Sequence, residues 1–461
     1  MTAIVTSKFR TLNAENFKED IANDSVYVAI GKSDAWSTQT GDTSDAEPFT
    51  PYDTLDTLTE AREQIFGLKK LAAGDASHVI PRHTWTTGTR YYAWDSNDPD
   101  IFDKPFYVIT SEFKVYKCIF SPVTGSTQEP SQTLTNPTAE SDGYIWKYMY
   151  TVSVADAEKF LTTSYMPVKT IDIDSYANDA AAELALSEGD YAQYLNQKAS
   201  RDSTTAGGIE RIEVTAGGSG YNNPFDGDVI ITGSGTGATV ADANVTVDGS
   251  GVITGIALTN KGTDYSVAHI QIKDGGGTSA AARAVLSPEN GHGTDPVKEL
   301  GGFFAAVNTL LSGTDGGDLT VGNDFRQITL VKNPFNFGTS TVSTATTLQA
   351  NGALNFASTT SAFQADELIE QGDTKAFVVH VDSATGYVYY TQNSKTGYGS
   401  FVTGSNVLGL TSGAQGTPPS SGFLIDPEVD VHSGDIIFLE NRNPIDRTAS
   451  QIEDIKIIIE F

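Results

Sequence analysis

Alternation of apolar and polar positions dominates this chain, and most of it reads as strand. In the last thirty residues, HSGDIIFLENRNPIDRTASQIEDIKIIIEF, two strands flank a turn. Ile455, Ile457, Ile459 and Phe461 fall on one face, with Asp454, Lys456 and Glu460 opposite and Ile458 as the one interruption. Chain ends fray unless a sheet holds them, so an apolar face carried to Phe461 predicts an end that is paired and covered. SVYVAIG at 25–31 alternates Val26, Val28 and Ile30 with Tyr27 and Ala29, and PFYVIT and FKVYKCIF at 105–120 read as a hairpin. Tyr144, Trp146, Tyr148 and Tyr150 alternate with Ile145, Lys147 and Met149 after an Asp142-Gly143 turn. Such a ring-bearing face ordinarily packs against a second layer; a sugar-binding platform is the sharper alternative.

Helical periodicity is scarcer, and residues 1–200 predict two or three helices among strands. The clearest is 57–73, where Thr57 and Glu60 fit a capping box and Leu58, Ala61, Ile65, Leu68 and Ala72 form one stripe. Lys69 and Lys70 near its end suit the helix dipole. DAAAELALSEGDYAQYL is a weaker helix, interrupted at Gly189. Residues 302–312 read as a short helix ending at Gly313, and FRQITLVKN after it as a strand.

Composition shifts sharply at 205–293, which holds 18 of the 44 glycines. There IERIEVTAGGSGY (209–221) aligns with ITGIALTNKGTDY (253–265) at a period of 44 residues, placing Tyr221 and Tyr265 in equivalent positions. Each copy continues into a second strand, VIIT and then IQIK, and since one hairpin is marginal alone the copies should pack together. A Thr- and Ser-rich stretch opens a second block, 336–424, in which Asp382-Ser383-Ala384-Thr385-Gly386 divides two strands as a hairpin turn would. The predicted fold class is mainly β: a layered antiparallel β-sandwich core with a few helices in loops, plus two inserted small all-β modules. The core is expected in three parts, 1–204, 291–335 and 425–461, with a Gly-rich repeat module at 205–290 and a second small β module at 336–424. Residues near 204 and 291, and near 335 and 425, should then be neighbours.

A length of 461 residues suits two to four compact units, and 39% hydrophobic residues give a substantial core. The charge balance, 29 − 58 = −29, argues against autonomous nucleic-acid binding, which needs clustered Lys and Arg. It suits a solvated acidic surface or partners with basic patches. The single cysteine, Cys118, sits in a strand and reads as a structural thiol. No stretch of eighteen apolar residues predicts a membrane-spanning helix, and MTAIVTSKF lacks a secretory core, so synthesis in a host cytoplasm is expected.

Catalytic patterns are sparse. The six histidines make neither HExxH nor a metal-ligand pair, and no GxSxG elbow or GxxxxGK[ST] occurs. Gly233-Ser-Gly235-Thr-Gly237-Ala238 follows a strand as a dinucleotide fingerprint would. The TVADANVTV after it is too β-branched for the helix that motif needs, so a Gly-rich hairpin is the reading. Asp95-x-Asn97 and Asp315-Gly-Gly-Asp318 offer fragments of a calcium loop, although Asp and Asn also favour turns for backbone reasons. The expectation is a protein without catalytic residues, cofactor or metal.

Five collinear segments carry a family resemblance: AIVTSKFRT at 3–11, VIPRHTW with TRY at 79–91, DGYIWKYMY at 142–150, FRQITLVKNP at 325–334, and the ending with Ser433-Gly434, Glu440-Asn441-Arg442, Pro444 and Phe461. Together they resemble the T4-type bacteriophage baseplate wedge proteins of the gene product eight family, leaving roughly 205–290 and 336–424 outside the pattern. The resemblance implies a structural subunit, not an enzyme, located in the virion at the baseplate of a contractile tail. It implies a homodimer that bridges other baseplate wedge proteins, with no direct contact to nucleic acid or membrane. The insertions are candidate contacts for a fibre or host glycan. Residues of the shared segments that suit interface anchoring or internal stapling are Arg10, Arg82, Trp85, Arg90, Trp146, Arg326, Glu440 and Arg442. Glu440 and Arg442 are expected to fix the closing turn against the segment carrying Arg10. The rival class is a stand-alone adhesive or carbohydrate-active β-protein, drawing on the aromatic strand and the Gly-Tyr repeats.

Overall fold

The computed structural model describes residues 5–36, 44–122, 124–203 and 207–461. The chain forms two compact units, one of residues Met1–Glu15, Ser77–Ala306 and Ile458–Phe461, the other of Asn16–Ala76 and Val307–Ile457. The fold is mainly β, with six α-helices among the described residues and antiparallel pairing in most ladders.

In the first unit, a four-stranded sheet runs Tyr107–Ile109, Lys114–Phe120, Ile145–Thr151, Thr138–Ala139. One face packs Tyr107, Ile109, Val115, Met149 and Tyr150 against Ile80, Met166 and Val168 of a second ladder, Ala76–Pro81 with Tyr165–Val168. The opposite face buries Tyr116, Cys118, Tyr144, Trp146 and Tyr148 under Tyr91. With both faces covered, Lys114–Phe120 and Ile145–Thr151 are buried at nearly every position. The Tyr144–Tyr150 rings are therefore core, as the layered reading requires, and are not exposed to receive a sugar.

The glycine-rich segment folds as an intertwined pair. The first strand of copy one, Ile209–Ser219, pairs with the last strand of copy two, Thr278–Leu286. The first strand of copy two, Ile253–Ile256, pairs with Val245–Val247 of copy one. The two first strands meet at Ile212 and Ile256, which are repeat equivalents. Asp228–Gly233 and Ala268–Lys273 likewise pair with each other. Tyr221 lies over Gly277 of copy two, and Tyr265 over Gly235 of copy one. A Cβ at either glycine would sit 2.4 Å from the ring. The ends of the segment meet, with Ser287 N donating to Gly208 O at 3.0 Å.

In the second unit, a five-stranded sheet runs Thr347–Gln349, Ile65–Lys70, Val26–Gly31, Asp324–Lys332, Asp435–Asp446. A seven-stranded sheet takes most of residues 352–425 and closes on Ile369, Ala376, Val378 and Val407. Phe335 and Asn336 pair with Asp430 and Val429, while Thr347–Gln349 pairs with Gly67–Lys69. Part of the 336–424 block thus extends the five-stranded sheet.

Three helical expectations are corrected. Only Leu55–Glu63 of 57–73 is helical, capped by Thr54, whose side chain accepts from Thr57 N; Ile65–Lys70 is a strand. Ile65, Phe66 and Leu68 serve a sheet interior, and Gly67 admits Leu319 where any Cβ would collide. Residues 302–312 are not a helix: Phe304–Ser312 is a strand, because its apolar and branched residues are buried on both faces. The weak helix becomes two, Asp179–Ala185 and Glu188–Arg201, since the Ser187 side chain caps the second and Gly189 falls harmlessly in its first turn. Ser7–Asn23 is a helix that the pattern left unread, making five helices before residue 204 among the described residues.

The terminal strand, Ile452–Glu460, runs beside Phe304–Ser312. Ile455 and Ile457 are buried, Ile459 and Phe461 half-buried, and Phe461 N donates to Phe303 O at 3.1 Å.

Candidate functional site

A structural subunit works through its anchors, so the candidate side chains matter by what they touch. The Arg10 guanidinium stacks 3.5 Å over the Phe303 ring and bonds Phe461 O and the Glu460 carboxylate. Glu440 pairs with Arg442 itself at 3.1 Å, and Arg442 O accepts from Trp36 Nε1 at 2.9 Å. Where Glu440 and Arg442 were expected to hold the segment of Arg10, Glu440 pairs with its strand neighbour Arg442, and Arg10 holds the chain end. Neighbours two apart on one strand face pair more readily than segments brought together by chance.

Arg326 is buried, gripping both Asp45 oxygens at 2.9 and 3.1 Å, Asp324 at 3.0 Å, and Ser33 O. Arg82 donates to Thr162 O at 2.9 Å, tying two loops. Half-buried Trp85 donates from Nε1 to Ser126 Oγ at 3.1 Å. Trp146, 1% exposed, stacks on Tyr144 with centroids 5.6 Å apart. Arg90 alone among the eight is exposed with no hydrogen bond or ion pair among the described residues, its guanidinium 5.9 Å from the Tyr92 ring.

Other anchors escaped the sequence reading. Arg62 holds the Ser433-Gly434 turn through Ser433 O and Gly434 O, both at 2.7 Å. Fully buried Arg447 binds Gly313 O, Thr320 O and Glu453. Both stand in polar local sequence, Glu60-Ala61-Arg62-Glu63-Gln64 and Asp446-Arg447-Thr448, so no local pattern marks them.

The most elaborate polar site joins the glycine-rich segment to the first unit's sheets. Arg211 donates to Trp94 O at 2.6 Å, Trp94 Nε1 to Leu286 O at 3.0 Å, and Asn97 to Ala284 O at 2.9 Å. Arg283 grips Asp95, placing a guanidinium where the calcium reading would put its ion. Deeper in, Lys117 pairs with Glu299 at 2.9 Å, with both side chains nearly inaccessible. Lys117 Nζ also lies 3.9 Å over the Trp94 ring. Glu299 accepts Gly293 N at 2.8 and 3.0 Å and Asp295 N at 3.1 Å. Burial pulls the Lys117 pKa down and lowers that of Lys147 to about 8. Beside them, His292 Nε2 lies 3.6 Å from Glu210, and Glu210 pairs with Lys261 at 2.7 Å. Burial and the Lys117 charge favour neutral His292.

Chemistry is otherwise quiet. Burial pushes the Cys118 thiol far up, away from thiolate reactivity. His78 Nδ1 lies 2.9 Å from Gly302 O, and His83 packs against Tyr107. Among the described residues no three His, Cys, Asp or Glu side chains converge as metal ligands would. An open groove of about 1040 Å³ runs along Glu210–Val214 and Thr254–Lys261, with Phe120 exposed at its edge.

Part of the chain is similar to known proteins. The family model described as bacteriophage T4 Gp8 matches residues 3–139. That stretch takes in the helix carrying Arg10, the Val26–Gly31 strand, and the segment with Arg82, Trp85 and Arg90. The baseplate wedge protein gp8 of Enterobacteria phage T4 is 27% identical over 203 residues, an alignment covering 36% of this chain. The chain spans 60% of the length of that relative. Over these stretches the chain is similar to the phage T4 Gp8 family and to its baseplate wedge protein.

Proposed function

We propose that this chain is a structural subunit of a phage tail baseplate wedge, acting through protein–protein interfaces and carrying out no reaction. The observation behind this reading is the family match over residues 3–139, together with the named wedge relative. The site geometry supports this reading: most of its arginines, tryptophans and buried ion pairs are spent on bracing within each unit. In this reading the protein is a homodimer located in the virion's tail baseplate, bridging neighbouring wedge proteins of a contractile tail. Arg90, exposed beside Tyr92 and unpaired among the described residues, is the side chain of the shared segments best placed for such a contact. Light scattering on the purified full chain should give a mass twice 49.0 kDa, and co-expression with wedge proteins of the same phage should yield a stable complex. A monomer that captures none of them would overturn the proposal.

The open groove favours a second reading, in which the glycine-rich segment touches a glycan or a fibre. Its hydroxyl and amide lining with Phe120 at the edge suits a sugar. Glycan-array binding by the purified chain, lost on Phe120→Ala, would support it; a blank array would remove it.

A further inference from the structure

Beside the Lys117–Glu299 pair lies a cavity of about 60 Å³, lined by His292, Ser200, Ser203, Ser287, Glu210 and Lys261. It sits where the glycine-rich segment meets the helix Glu188–Arg201. Both His292 ring nitrogens and Ser200 Oγ are buried there without a hydrogen-bond partner in the protein. His292 approaches Glu210 at 3.6 Å and Glu299 at 3.9 Å, each too long for a direct bond. Buried polar atoms are ordinarily hydrogen-bonded, so three unpaired ones in one cavity call for a ligand.

Lining chemistry selects its class. Glu210 and Lys261 are already paired at 2.7 Å, so their charges cancel. An added anion would face the Glu210 carboxylate, and an added cation the Lys261 ammonium. Neutral His292 offers one donor and one acceptor, and Ser200 offers both on one atom. The complement is a small neutral molecule that donates and accepts. On the scale where one water needs roughly 10–15 Å³, the cavity takes about four.

We propose that this cavity is a hydration site, holding a cluster of ordered waters that bridge His292 and Ser200 to Glu210 and so bind the glycine-rich segment to the sheets beneath it. Water explains the 3.6 and 3.9 Å separations, which are lengths that a bridging molecule spans. Glu210 and Lys261 line the cavity, and Glu299 lies 3.9 Å from the His292 ring.

A crystal structure of the full chain, at a resolution that shows ordered water, tests this directly. Expected are water peaks within hydrogen-bond reach of a His292 nitrogen and of Ser200 Oγ. In a Ser200→Ala crystal, the peak next to residue 200 should vanish while the others persist. A dry cavity, a His292 ring turned to bond Glu210 directly, or tetrahedral density of an anion would each overturn the proposal. So would an unchanged cluster in the Ser200→Ala crystal.

Discussion

Replacing Glu299 with Leu removes the partner of a buried ammonium. Among the described residues Lys117 is then left with the Trp94 face, since its Nζ is fully buried and bonds Glu299 at 2.9 Å. Breaking one partner of a buried pair costs about 3–5 kcal/mol. An independent ceiling agrees. A lysine with a reference pKa near 10.4 sheds its proton at pH 7 for roughly 1.36 × 3.4, or about 4.6 kcal/mol, and beyond that Lys117 would simply turn neutral. Loss of the acceptor for Gly293 N and Asp295 N adds about 1 kcal/mol or more. The expected total is about 4–6 kcal/mol.

Urea unfolding read by tryptophan fluorescence measures it, because Trp94 sits over Lys117 and Trp85 and Trp146 share the same unit. Hydrogen exchange over Lys114–Phe120 supplies a second readout of that unit alone. The deficit should shrink as pH rises, by up to about 1.36 kcal/mol per unit once Lys117 is uncharged in the folded state. There the folded pKa lies below the unfolded one, the unfolded chain binds the extra proton, and stability climbs with pH. Lys117→Met combined with Glu299→Leu should recover at least about 2 kcal/mol relative to the sum of the single changes. A loss under about 1 kcal/mol at pH 7, or one independent of pH, would refute the reasoning.

Arg10→Ala should cost about 1–2 kcal/mol, mostly through the stacked Phe303 contact because Glu460 is largely exposed. Exchange should quicken over Ile452–Glu460, and unchanged protection there would exclude the clasp. His292, whose folded pKa is lowered by burial, makes the first unit lose stability as pH falls below about 6.5, because the unfolded chain takes the proton first. His292→Gln should flatten that slope in acid titrations monitored by fluorescence. Gly235→Ala and Gly277→Ala should each destabilise the glycine-rich segment by about 1–3 kcal/mol, since the new methyl meets Tyr265 or Tyr221. Matched losses in thermal melts are the outcome expected of equivalent positions, and a loss at one glycine only would contradict the pairing.

The strands were legible wherever one residue type alternated with another, as in Val26–Gly31 and the terminal ribbon. Misreadings arose where apolar residues satisfied both periods. Ile65 and Leu68 fit a helical stripe as well as a buried strand, and only the neighbouring strands decide between them. The repeat at 44 residues was plain, but periodicity is silent on which copy's edge takes which partner. Lys117 looked like an ordinary strand lysine because its carboxylate lies 182 positions away. Arg10 was singled out by the shared segment, yet its partners at 460 and 461 were not, since no local pattern reports a contact spanning 451 residues. Long-range ion pairs leave almost no trace in composition.

Exchange of strands between the two glycine-rich copies has an evolutionary corollary. A lineage deleting one copy would strip Ile209–Ser219 of Thr278–Leu286 and leave Tyr221 without the Gly277 seat on which it lies. The survivor would be a sticky, half-open remnant. Length variation here should therefore arrive in whole doublets, gained or discarded together, and a tree of related sequences should hold few halfway forms.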